Sequence, residues 1–84
     1  MNEQELALVE EAYRQALPNI VYAAELKELV DQTTKLAQIS EVISLLREKI
    51  SSTSDMTRKT DLRIFLTQLQ RLIAKEKGIN SDSP

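Results

Sequence analysis

Turn-forming residues are almost absent from this chain. One glycine, Gly78, and two prolines, Pro18 and Pro84, are spread over 84 residues. A β-sandwich or barrel needs turn chemistry every 8–12 positions, so the sequence argues against a β architecture. Sparse glycine together with abundant Leu, Ala, Glu, Gln, Lys and Arg points to helix. The length fits a single domain with a thin core. Chains this small usually need a disulfide, a metal or a partner to hold them together. There is no cysteine and no histidine. Disulfides and thiolate sites are therefore impossible, and the commonest metal ligand and acid–base catalyst are missing. Very good helix packing or a partner chain must do that work.

The apolar periodicity divides the chain. Leu6, Val9, Tyr13 and Ala16 form one stripe, so the first helix is expected over 2–16, capped by Asn2 with Glu5 reaching back. Pro18 disfavours helical dihedrals at Leu17 and should end it. A second helix is expected from Pro18 or Asn19, with Tyr22, Leu26, Leu29 and Val30 inward. The stretch Asp31-Gln32-Thr33-Thr34 leaves two readings open. Residues 20–50 form one helix with a stutter, or the stripe's phase change marks a break capped by Thr33 or Thr34; cap chemistry favours the break. Leu36, Ile39, Ile43, Leu46 and Ile50 give a third helix over 35–50, with Val42 and Leu45 as a second row. Ser51–Asp55 reads as a loop in which Ser54 or Asp55 caps a fourth helix reaching Lys77. Its seam is Leu62, Phe65, Leu69 and Leu72, its polar first turns project beyond the core, and Gly78 ends it. The expected fold is an all-α antiparallel bundle of three or four helices over 1–78, followed by a disordered tail over 79–84.

Without His or Cys the usual nucleophile systems are absent, and Ser40 and Ser44 are ordinary surface serines. Lone Gly78 permits no phosphate-cradling loop. Glu25, Glu28 and Asp31 form an acidic helix face without metal-site spacing. No enzyme activity, cofactor, metal or small-molecule substrate is expected. No apolar run is long enough to span a membrane, and the acidic N-terminus is unlike a signal or transit peptide, so the expected location is cytoplasmic.

Charge is uneven. Through Asp31 seven acids face two bases, a net of −5; from Gln32 onward nine bases face six acids, a net of +3. Such a dipole would steer a charged partner or favour head-to-tail pairing of two copies. Glu10–Arg14 is an expected intrahelical pair. Arg58, Lys59 and Arg63 make a modest basic spot, without interleaved aromatics. Nucleic-acid binding is therefore the alternative and not the leading reading.

Aliphatic rows wider than a single stripe suit helix–helix packing. The function expected is a non-enzymatic protein–protein interaction module, regulatory or adaptor in kind. It would bind through apolar helix faces to a protein partner, a second copy of itself included. Its candidate interaction residues are Val42, Leu45, Arg63, Leu66 and Ile73, with Arg58 and Lys59 added under the nucleic-acid alternative; Val42 and Leu45, beside the main seam, either complete the core or meet the partner. A third reading is a small acidic inhibitor whose Glu10, Glu11, Glu25 and Glu28 imitate a row of phosphates.

Overall fold

A computed structural model describes residues 1–77. It contains four α-helices: α1 (Glu3–Ala16), α2 (Ala23–Thr33), α3 (Ile39–Ser52) and α4 (Met56–Lys77), with no strand among the described residues. The all-α bundle is therefore the fold. Gly78, expected to end α4, and the tail expected over 79–84 lie outside the described residues.

Asn2 caps α1 as its sequence suggests: its Oδ1 accepts from the Glu5 N–H at 2.8 Å. Leu17, however, is helical (φ −51°, ψ −43°), and Pro18 sits in a 3₁₀ turn over Leu17–Asn19. The pre-proline preference gives way because this short turn lets Leu17 N–H donate to the Tyr13 carbonyl. The second helix consequently starts later than Asn19. Ile20 is extended, and Tyr22 is the first flanking residue of α2, without a capping side chain of its own.

The break between α2 and α3 is real, but neither threonine opens α3. Thr33 Oγ1 donates to the Val30 carbonyl and Thr34 Oγ1 to that of Asp31, each at 2.6 Å, so both hydroxyls close α2. α3 begins at Ile39, where Glu41 Oε1 accepts from the N–H groups of Ala37 (2.9 Å) and Gln38 (3.1 Å). Leu36 thus lies in the connection, half-buried against the core, and not in the helix. Asp55 opens α4 by accepting from the Arg58 N–H at 2.9 Å.

The helices run up, down, up, down. Met1 places its ammonium on the Leu36 carbonyl at 2.9 Å, which sets the start of α1 beside the end of α2. Gln4 donates to the Glu76 carboxylate, which sets the start of α1 beside the end of α4. α4 packs most extensively on α1, then on α3. Ala12 and Ala16 are completely buried, and their small side chains let α1 approach α4 closely. Between them sits the core of Val9, Leu26, Val30, Val42, Leu46, Leu62, Phe65, Leu66 and Leu69. α2 packs chiefly on α1 and touches α3 and α4 more sparingly.

Candidate functional site

The sparing contact on one side of α2 leaves a cleft. Its volume is about 350 Å³, within the usual size range of binding clefts. Leu26, Leu29 and Leu62 form its apolar floor. Glu28 and Gln32 stand on the α2 side, Lys49 and Thr53 on the α3 side, and Arg58 at the end where α4 begins. Helical periodicity explains the α2 wall: Glu25, Glu28, Leu29 and Gln32 are spaced by three and four and share a face.

The α4 end of the cleft is built from two polar clamps. Asp61 is only 4% exposed. Its Oδ1 accepts from the Val21 N–H at 3.1 Å and its Oδ2 from the Tyr22 N–H at 2.9 Å. A carboxylate from α4 therefore serves the backbone leading into α2, which has no local cap. One turn earlier, Arg58 Nε donates to Glu25 Oε1 at 2.7 Å and Nη2 to Oε2 at 2.8 Å. The same guanidinium lies 4.2 Å from the centre of the Tyr22 ring. The first turns of α4 thus hold α2 and do not project freely, as their polarity had implied.

The bidentate pair shifts both partners. Hydrogen bonding from Arg58 holds the Glu25 carboxyl below its ordinary value, against a smaller opposing effect of desolvation. The hydrogen bond to Glu25 in turn raises the Arg58 guanidinium above its ordinary value. A folded-state carboxyl pKa that is lowered contributes stability above the unfolded value of 4.5 and loses it as pH falls through the folded value. In a carboxyl-carbon NMR titration, Glu25 is expected to protonate at lower pH than it does in an Arg58→Gln variant. Identical midpoints would mean that the pair does not persist in solution.

The structure distributes the sequence-derived candidates differently from expectation. Val42 is fully buried and Leu66 is 9% exposed, so both complete the core and present no docking surface. Ile73 is half-buried against the same core. Leu45 is half-buried outside it, in a shallow groove with Leu36, Ser40, Ser44, Glu41 and Glu48. Arg58 turns into the α2 cleft while Arg63 lines a different groove with Arg71, so Arg58, Lys59 and Arg63 do not act as one basic spot. Arg14 pairs with Glu11 at 3.2 Å and not with Glu10. Glu11 and Glu25 are both engaged by arginines, Glu11 on α1 and Glu25 on α2. The role of Asp61 was not legible in the sequence, because its partners lie about forty positions away and no local motif marks the pairing.

Among the described residues no group of His, Cys, Asp or Glu is arranged to hold a metal ion. No described helix is long and apolar enough to cross a membrane. A family model matches residues 7–75, from the second turn of α1 to nearly the end of α4: that of the MJ1579 family. No curated protein matches the chain. No solved structure matches it either.

Proposed function

We propose that this chain, which belongs to the MJ1579 family, is a non-enzymatic protein–protein interaction module that grips a helix of a partner protein in the cleft beside α2. The observation that carries this reading is the cleft itself: an open slot floored by Leu26, Leu29 and Leu62 and edged by Glu28 on one wall and Lys49 on the other. An amphipathic helix fits such a slot by laying aliphatic anchors spaced i, i+3/i+4, i+7 on the floor. The edge charges then choose among candidates: a base opposite Glu28 and an acid opposite Lys49 are favoured, and the reverse order is repelled. A second copy of the chain is the simplest partner to supply such a helix, and sedimentation equilibrium over a concentration series separates it from a different protein.

The test is selection from a displayed library of amphipathic helices, using the intact chain as target. Selected helices should share the aliphatic spacing and perturb NMR signals of α2 and α3. The charge reversals Glu28→Lys and Lys49→Glu, at exposed positions, should weaken them roughly tenfold or more, the scale of losing one well-placed charged contact. If the bound helices map to another face, or ignore both reversals, the reading fails.

A further inference from the structure

Of three surface grooves among the described residues, one differs from the others in charge. The α2 cleft contains Glu25, Glu28 and Asp61, and the groove beside Leu45 contains Glu41 and Glu48. The third, about 490 Å³ in volume, runs along α4 and contains no carboxylate. Arg63 and Arg71 line it, with Thr60, Thr67, Gln68 and Asn19 between them and a single apolar residue, Ile64.

The charge pattern of α4 extends this groove into a row that winds about 160° round the helix. Lys59, Arg63, Arg71 and Lys75 follow one another at intervals of four or eight residues. At 1.5 Å per residue, the two arginines are separated by about 12 Å along the helix axis. From Met56 to Lys75 the helix has one acid, Asp61, and that carboxylate is buried with both oxygens engaged. Among the described residues none of the four cations takes part in an ion pair.

We propose that the outer face of α4 binds the phosphodiester backbone of a double-stranded nucleic acid, through Arg63 and Arg71 with Lys59 and Lys75 at the ends. Guanidinium groups meet phosphate oxygens in bidentate fashion, and the hydroxyl and amide side chains between them supply further hydrogen bonds. No aromatic residue accompanies the cations, so a stacking platform for unpaired bases is absent and the duplex is the fitting form. A lipid surface fits less well. The apolar side of α4, with Phe65, Leu66 and Leu69, is buried in the core and cannot enter a bilayer. The acids of α1 and α2 repel the polyanion and so help to turn the α4 face towards it.

The experiment is fluorescence anisotropy of short labelled DNA and RNA duplexes with the intact chain at several salt concentrations. Four phosphate contacts give a slope of log affinity against log salt of about −3.6, or roughly a 150-fold loss between about 50 and 200 mM salt. Arg63→Gln combined with Arg71→Gln should halve the slope to about −1.8. Lys59→Gln with Lys75→Gln should do likewise, and serves if the first pair alters the circular dichroism spectrum. Lys49→Glu, in the α2 cleft, should leave duplex binding unchanged. No salt-dependent binding, or a slope indifferent to both double variants, overturns the proposal. So does equal or tighter binding of poly-glutamate or anionic vesicles at the same residues, which would assign the face to an acidic protein or a membrane.

Discussion

Replacing Phe65 with alanine is expected to lower the melting temperature by at least about 12 °C. Phe65 is the largest of the side chains buried beyond solvent contact, and α4 presents it between α1 and α3. Truncating a buried phenylalanine loses its transfer free energy and leaves a cavity, together about 3–5 kcal/mol. A domain of this size has only about 4–13 kcal/mol in all, and each kcal/mol corresponds to about 4–8 °C. Phe65→Leu, which removes fewer atoms and leaves a smaller cavity, should cost less than the alanine variant. Thermal unfolding followed by circular dichroism checks both. A shift under about 4 °C for the alanine variant would show that the core is not centred on α4.

Asp61→Ala is expected to cost about 3 kcal/mol and to act unevenly. Each hydrogen bond to a charged group contributes about 1.5–3 kcal/mol, and this carboxylate makes two to backbone N–H groups. Its removal leaves the Val21 and Tyr22 N–H groups without their acceptor in a partly covered place. Asp61→Asn keeps one good acceptor and should lose about half as much. Hydrogen exchange separates this loss from general destabilisation: amides at the start of α2 should lose protection well before those at the α1–α4 contact. Uniform loss across the four helices would refute a specific clamp on α2.

The helices were legible because each apolar row repeats at three and four, and because Asn2 and Asp55 carry their signals locally. Their rotation was less so. In α3 the expected regular row is divided: Ile39, Ile43 and Ile50 are half-buried and Leu46 is fully enclosed, together with Val42 from the row expected to be secondary. When two neighbouring rows are both apolar, spacing reports a wide face but not its centre. Leu66 was misassigned to a surface for the same reason. The start of α2 was illegible for another reason: its cap is a residue of α4, and propensity acts only among neighbours in sequence. The break at Thr34 was half-readable, since threonine side chains can close a helix as well as open one. The cleft was not readable at all. Its floor is made of leucines that also count as core, and only the three-dimensional placement of α2 beside α3 and α4 opens a slot over them.

The clamp on α2 also bears on how the chain is made. A ribosome delivers Val21 and Tyr22 some forty residues before Asp61. Until then the emerging segment has neither its borrowed acceptor nor the bidentate contact of Arg58 with Glu25. A nascent chain ending before α4 would hold the start of α2 without its cap, and arrival of the last helix would supply it.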